Sequence, residues 1–477
     1  MQIKSYRIFC IAMVIGFLTM VTGSAVADTI IVGDSGIADY TTIQAAIDAA
    51  NNGDTILVNP GKYSENVDVD KELTIIAESG NPDDTTVQAV NPDDPVFHVT
   101  VNNVTISGFN VTGANGTEKN SPAYGIYLEG APQFVIANDG EVQSCIITNN
   151  RLFNNSIGVC LEDSSNNILS NNTASGNDFA IFLSSSNNSE LSNNDVVNNY
   201  GGIAMLGGSN NTFNNNNISN NSYGIVLVIY SNNNTFINNR ASDNEYGIYI
   251  REASNLTLIN NTASFNKRDG IYLDRSYYNV LEGNTANSNG EHGIYLNDFS
   301  WGNYLGNNTA SNNEHGILLY YYSDHNSLIN NTVNSNEQYG IYLNETSNNS
   351  IEGNTANSNK VHGIYLKSST FNIIINNTAN LNGYHGINLN QSNNKRVNTN
   401  VVTHDFKYCK FLEDSSNNNT VSGNYLIDNG KGLVANVSEN NIGINYINDR
   451  GIAEMPFISS VLTLIMLGIA FMIMRRE

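Results

Sequence analysis

The chemistry-bearing side chains of this chain gather at two points of a short repeat. Just before a recurring Gly stand Asp269, Glu291-His292, Glu314-His315, His362 and Tyr384-His385. Just past the strand that follows stand Asp274-Arg275, Asn297-Asp298, Tyr320-Tyr321, Asn344-Glu345 and Lys367. Carboxylates and imidazoles brought within reach of one ring are what general acid–base work on a sugar needs. His292, Asp298, Arg275, Asp274, Glu314 and His315 are therefore the candidate catalytic residues. Asp269, Asp274, Glu291 and Asp298 are candidate ligands for Ca²⁺, which takes carboxylate oxygens, and stacked His can hold a metal ion. Arg251, Arg268 and Arg275 are placed to pair with the carboxylate of an acidic sugar. Tyr249, Tyr272, Tyr295, Tyr342 and Tyr365, with Tyr127, form a column of candidate ligand-binding rings. Aromatic faces along a sheet stack on sugars; Tyr is also a good strand former that stacks on its own kind.

What positions these residues is the repeat itself. The Gly position recurs at Gly125, Gly158, Ala180, Gly202, Gly224, Gly247, Gly270, Gly293, Gly316, Gly340, Gly363, Gly386, Cys409 and Gly432. After a first gap of 33 the steps are 22 to 24 residues. A repeat this short with no helical periodicity predicts a solenoid of β-coils. In residues 280–302 the apolar pieces alternate, Ile294 in, Tyr295 out, Leu296 in, between Gly, Asn and Ser, which suit turns. Each coil therefore reads as three very short strands with tight corners, and coils stack about 4.8 Å apart. Ile126/Leu128, Ile248/Ile250, Ile271/Leu273, Ile294/Leu296, Ile341/Leu343 and Ile364/Leu366 predict interior ladders. Asn171, Asn193, Asn238, Asn260, Asn284, Asn307, Asn330, Asn354, Asn376 and Asn424 predict an inward amide column bonding corner backbone and the Asn above.

In these residues the chain resembles the right-handed parallel β-helix proteins. It is similar to the branch known as NosD-like, or as carbohydrate-binding and sugar-hydrolase β-helix repeats, over roughly residues 29–447. The stretch from Asp39 to Tyr63 carries the most specific part: a short helix, a strand, then Gly61-Lys62-Tyr63-Ser64-Glu65. Thr42 is set to cap that helix, Ile43, Ala46, Ile47 and Ala50 to form its apolar face, and Gly53 to end it. The helix is expected to cover the open end of the stack, where bare strand edges invite aggregation. The resemblance implies an all-β, single-stranded right-handed parallel β-helix of roughly 18 coils. It does not fix a function, since this coil carries lyases, epimerases, esterases, adhesins and spacers. The chain has no Asp-Phe-Ile-Phe-Gly of pectin methylesterases and no Asp-Pro-His-Asp of alginate epimerases. It also lacks the Asn-Thr-Asp and Gly-His-Gly of polygalacturonases. A NosD-like role implies help in loading copper; here Met is scarce, at 8 residues, and no Cys- or Met-rich motif occurs.

The ends suggest an organisation. Residues 1–27, with Lys4, Arg7, an apolar run and Ala25-Val26-Ala27, read as a signal peptide. Residues 28–60 read as the cap, 61–450 as the β-helix and 451–456 as a linker. Residues 457–474 read as a transmembrane helix, and 475–477, with Arg475-Arg476, as a cytoplasmic tail. Glu454-Met455-Pro456-Phe457 before that run resembles archaeal PEF-type sorting tails, although the Pro-Glu-Phe order is absent. The net charge of −23 argues against a nucleic-acid partner. The mature chain keeps Cys145, Cys160 and Cys409; Cys145 and Cys160 are open to a bridge or to being buried thiols. About twenty Asn-x-Ser/Thr sequons occur. Asn103, Asn115, Asn255, Asn344 and Asn436 are the candidate glycosylation sites, whereas repeat-borne sequons such as Asn260-Asn261-Thr262 are expected to be unusable if their Asn points inward. An insertion, Glu129 to Ser144, is expected to form a loop on one face.

Two readings follow. One is a membrane-anchored, surface-displayed β-helix with a structural or glycan-binding role. The other is a Ca²⁺-assisted polysaccharide lyase, epimerase or hydrolase centred on residues 269–321. Either way the ladder must exclude charge. Ile294→Asp is expected to lower the thermal transition by several degrees, because an unpaired carboxylate inside costs several kcal/mol. An unchanged transition in circular dichroism would contradict the inward assignment of Ile294.

Overall fold

Inward Ile and Leu at a fixed step require parallel in-register pairing, and this is what the computed structural model contains. It describes residues 27–116, 123–130, 142–406, 412–413, 415–429 and 439–448. Residues 1–26 of the expected signal peptide, most of the insertion after Glu129, Cys409, Asn436, the expected linker 451–456 and the apolar run 457–474 lie outside the described residues. Among the described residues no helix is long and apolar enough to cross a membrane.

The solenoid has about 17 turns and three sides. One side is a sheet of fifteen parallel strands, mostly six residues long, such as His292–Asn297. A second is a sheet of eighteen short strands, such as Tyr304–Gly306. The third begins as an eight-stranded sheet and ends as a four-stranded one. Between them it narrows to single bridges through Thr262, Thr285, Thr309, Thr332 and Thr355. Register holds like on like: Ile271 faces Ile294, Tyr272 faces Tyr295, Leu281 faces Leu305. In one coil Ile294, Leu296, Leu305 and Ala310 are fully buried, and each meets its equivalents above and below in one continuous core. Each buried Ile or Leu contributes roughly 1.5–3 kcal/mol of hydrophobic burial.

The corners are held by Asn, but not in the column the sequence suggested. That column mixed two phases. Asn171, Asn193, Asn238, Asn260, Asn307, Asn330 and Asn376 have φ between 52° and 55° or 56° and face solvent. Asn tolerates this left-handed corner conformation at low cost. The inward residue is the next one: Asn172, Asn194, Asn239, Asn261, Asn308, Asn331 and Asn377, in line with Asn284, Asn354 and Asn424. Asn261 shows the pattern. Its Nδ2 donates to Phe236 O of the coil below at 2.9 Å and to Asn284 Oδ1 at 3.0 Å. Its own Oδ1 accepts from Asn239 N and Nδ2 at 2.9 and 3.0 Å. Two further ladders do the same at the other corners, through Asn279, Asn303 and Asn326 and through Asn289, Asn313 and Asn336. The sequon Asn260-Asn261-Thr262 thus presents its acceptor Asn outward, against expectation. Among the other glycosylation candidates Asn103, Asn115 and Asn255 are exposed and Asn344 is half-buried.

The cap explains its own motif. Thr42 Oγ1 accepts from Ala45 N at the start of the helix Ile43–Ala49, whose Ile43, Ala46 and Ile47 are buried. The helix packs on the strands Thr29–Val32, Thr55–Val58 and Val67–Val69. It stops at Ala50, earlier than Gly53, which instead turns the chain at φ 95°. Glu65 accepts from Ile43 N and Gln44 N at 2.9 and 3.0 Å, a carboxylate on bare N–H groups. Tyr63 donates its hydroxyl to Asn59 O at 2.8 Å. Cys145 and Cys160 are both buried free thiols. Cys145 lies in the core and Cys160 packs outside it against Tyr127.

Neighbouring positions 260 and 261 separate the two roles of Asn. Asn261→Leu removes the side-chain partner of Phe236 O and of Asn239 N and is expected to cost about 2–5 kcal/mol. Asn260→Gly keeps the corner conformation and is expected to change stability by no more than about 0.5 kcal/mol. Urea denaturation of both variants checks the contrast.

Candidate functional site on the outer face of the long strands

Strict alternation puts His292 inside, two residues before Ile294. The structure puts it outside, and Gly293 is the cause. A Cβ at Gly293 would meet Ala310 Cβ, Asn313 Nδ2 and Gly316 O, each at 2.7 Å. The backbone presses inward there, the ladder pairs His292 with His315 and Ile294 with Ile317, and His292 lies edge-on to Tyr295 at 4.9 Å. A Cβ would meet similarly close atoms at Gly224, Gly247, Gly270, Gly316, Gly340, Gly363 and Gly386.

Two ring columns therefore cover the outer face. The first runs Tyr223, Tyr246, Asp269, His292, His315, Tyr339, His362 and His385. His292–His315, His315–Tyr339, Tyr339–His362 and His362–His385 stack at 5.0, 4.9, 5.4 and 4.9 Å. The second contains the expected Tyr249, Tyr272, Tyr295, Tyr342 and Tyr365, all half-buried. Its rings touch between coils: 5.1 Å for Tyr249–Tyr272, 5.0 Å for Tyr272–Tyr295 and 5.1 Å for Tyr342–Tyr365. The sequence already groups Asp269, His292, His315, His362 and His385 by their place before Gly; Tyr223, Tyr246 and Tyr339 stand at the same place and escaped the group because they differ in type. The signal was their shared place before Gly.

Burial sets the charges. It lowers the His292 imidazole to about 4 and, with the His292 neighbour, His315 to about 3, so both are neutral at pH 7. It raises the Asp269 carboxyl to about 7, although that carboxyl accepts from His292 N at 3.1 Å. Burial also pushes the phenols of Tyr272, Tyr295 and Tyr342 upward, keeping them neutral donors.

The far ends of the same strands carry the remaining candidates. Arg275 donates to Asp298 at 2.8 Å and to Glu252 at 3.1 Å, linking three coils. Asp274 lies 3.5 Å from Arg251 and accepts from Asn297 Nδ2 at 3.1 Å; that amide also donates to the Tyr272 hydroxyl at 2.9 Å. Arg268 pairs with Glu291 at 2.9 Å, over the Tyr246 ring. Glu314 accepts from Gln338 at 2.6 Å. All three candidate Arg are thus held by protein carboxylates. Arg275, Asp298 and Asp274 come together; His292 and His315 do not join them, since six residues of extended strand separate His292 from Asp298, about 20 Å.

The four candidate Ca²⁺ ligands are spread likewise, Asp269 and Glu291 at one end and Asp274 and Asp298 at the other. Among the described residues no three His, Cys, Asp or Glu side chains lie together as a metal set. The His rings stack face to face, which sets their nitrogens side by side instead of converging on one ion. The donors described here do not fit a copper centre.

Comparison with known proteins agrees with this architecture. The family described as periplasmic copper-binding protein (NosD) matches residues 47–244 and 319–455, more than half of the chain. The right-handed β-helix region family matches residues 226–333. A cell surface glycoprotein of Methanothermus fervidus is 32% identical over 117 residues, 24% of this chain and 16% of that protein's length. Among solved structures, the periplasmic alginate epimerase AlgG is similar at 14% identity and a TM-score of 0.34, over 83% of this chain and 77% of that one. The enzymatically active domain of bacteriophage CBA120 tailspike protein 2 is similar at 14% identity and a TM-score of 0.39, over 61% and 44%.

The neutral His column makes stability depend on pH. Folded His315 titrates below its ordinary value of 6.5, so its contribution is complete above pH 6.5 and falls as pH drops toward 3. Asp269 slopes the opposite way, losing stability as pH rises from 3.8 toward 7. His315→Tyr, which copies Tyr339 in the same column, removes one term only. Its transition temperature relative to wild type is expected to rise as pH falls from 6.5 to 5. A difference independent of pH would mean that His315 protonates equally in both states.

Proposed function

The chain belongs to the NosD family of right-handed β-helix proteins, and within it we propose a cell-surface solenoid that presents its aromatic outer face to glycans. The observation that carries this reading is the pair of ring columns on the long-strand sheet. Half-buried Tyr rings in register, tilted or edge-on to one another at Tyr249, Tyr272 and Tyr295, offer ring faces and phenol hydroxyls, beside His rings that are largely buried. Such a surface matches a sugar chain, which offers C–H faces for stacking and hydroxyls for hydrogen bonds. Its neutrality matters as well. Carboxylates already occupy Arg251, Arg268 and Arg275, so an acidic polymer must displace an existing ion pair.

The surface placement rests on the composition of the ends and on the likeness to a cell surface glycoprotein over 117 residues. Anchoring through residues 457–474 belongs to the same proposal. A structural role and a binding role are compatible, because a rigid rod carries its binding face away from the membrane. The lyase or epimerase alternative needs acid, base and cation over one ring, and its candidate groups stand at opposite strand ends.

Full-length protein in a polysaccharide pull-down tests the face. Wild type is expected to be retained on at least one neutral polysaccharide. Tyr342→Ala/Tyr365→Ala, which removes a pair stacked at 5.1 Å, is expected to weaken retention about tenfold, as loss of two aromatic contacts at 0.5–1.5 kcal/mol each implies. Equal retention of the two proteins removes the face from the reading, and no retention at all leaves the rod alone.

A further inference from the structure

The corner that leads from a long strand to a short one turns through a residue in the left-handed region. In most coils it is Asn, as at Asn188, Asn210, Asn233, Asn255, Asn348 and Asn394. In three successive coils it is Tyr278 (φ 55°), Gly302 (φ 69°) and His325 (φ 56°), and between Asn348 and Asn394 it is Phe371 (φ 57°). A side chain larger than Asn is disfavoured there. In two of these coils the corner also gains a residue, so that Asp298-Phe299 and Tyr321-Tyr322 both take positive φ in succession. Neither change adds anything to the core, because the rings point to solvent: Tyr278 is 54% exposed, Tyr322 49% and Phe299 47%.

The rings organise around the chain's single tryptophan. Trp301 meets Tyr278 edge-on at 4.7 Å and Tyr277 at 5.4 Å. Phe299 stacks on Tyr322 at 5.3 Å and meets Tyr321 at 6.1 Å. Tyr278, Trp301, Gly302 and His325 line an open depression. Gly302 is required twice over, for its φ and because a Cβ there would lie 2.9 Å from Tyr278 Cδ1 and Cε1. Its missing side chain lets the Tyr278 ring lie against the backbone and leaves a gap before His325.

We propose that this corner is a second carbohydrate site, a cradle that stacks one neutral hexose unit of a glycan against Trp301 and Tyr278. The indole N–H, the Tyr278 hydroxyl and the His325 imidazole form its rim and bond sugar hydroxyls. Four lining residues suit one ring and are too few for a protein face. Lys and Arg are absent from the lining, Arg275 is committed to Asp298 and Glu252, Asp324 adjoins His325, and the chain carries −23. That balance selects a neutral sugar over an acidic one. The site rests on the reading of this protein as glycan-binding, but it uses a different side of the solenoid from the long-strand face.

Because Trp301 is unique, its fluorescence in the full-length protein reports on this corner directly. The probes are cellohexaose, mannohexaose, chitohexaose and a galacturonate hexamer, titrated to about 5 mM, the weak end of specific affinity. At least one neutral hexamer is expected to give a saturable change in emission. Tyr278→Asn, the residue other coils carry here, is expected to weaken it at least tenfold with the thermal transition retained. Tyr342→Ala/Tyr365→Ala is expected to leave it intact. A response to galacturonate alone, or equal affinity in Tyr278→Asn, overturns the cradle. A signal abolished by the face variant moves binding to the long-strand sheet and overturns the cradle while the wider reading stands. Silence from every hexamer, with pull-down retention intact, overturns the cradle alone.

Discussion

Everything in this molecule depends on the stacking of one Asn amide on the next. A coil of 22 to 24 residues must turn three times, and each turn leaves backbone groups facing a dry interior. Leucine in those places would fill the space and strand the carbonyls. An inward Asn donates to a carbonyl of the coil below and to its own counterpart, while its oxygen accepts from the preceding rung. The pattern is self-propagating: a rung is satisfied only if its neighbours carry the same group. Asp405 tests the rule, since it occupies an Asn place and burial raises its carboxyl to about 8, the protonated and amide-like form. Lys395 interrupts another ladder and meets the same demand by donating to Ser369 O and Asn393 O.

This constraint also shapes the outside. With every coil locked in register, any outward position becomes a column, and neighbouring side chains lie near strand spacing whether or not they attract each other. Tyr and His suit such columns because flat rings stack at about 5 Å. The cost is charge. Burial resists protonation of the stacked imidazoles and keeps His292 and His315 neutral at pH 7. Ionic groups gather at the strand ends, where Arg275 bridges Glu252 and Asp298 across coils. Pairs this exposed add little stability; their effect is to commit Arg251, Arg268 and Arg275 to protein carboxylates.

Much of this was legible in the sequence. Period, side-chain alternation and the Ile and Leu columns give the solenoid, and the apolar face of the helix at Ile43, Ala46 and Ile47 gives the cap. What could not be read was phase at the corners. Asn260 and Asn261 are the same letter, and only the backbone shows that one takes φ 54° in solvent while the other enters the ladder. Alternation alone would turn His292 inward for a related reason: it assumes an even strand, and the pressure of Asn313 and Gly316 on Gly293 breaks it. The role of Glu65 was likewise hidden, since a cap 22 residues from its helix N–H leaves no local spacing to notice.

The corner aromatics follow from the same physics by exception. A repeat under no demand other than stacking drifts toward the residue each place favours, and at the left-handed corner that residue is Asn. Tyr278 and His325 hold this conformation at a penalty of about 1 kcal/mol or more each, and the paired positive φ at Phe299 and Tyr322 adds to it. Nothing in the core offsets the strain, because these rings lie outside it. Exposed rings also stand at this corner at Tyr230 and Phe371; what sets residues 277–325 apart is that adjacent coils gather theirs around the single tryptophan, Trp301. They concentrate local cost on one surface, which is where a repeat protein pays for contact with something other than itself.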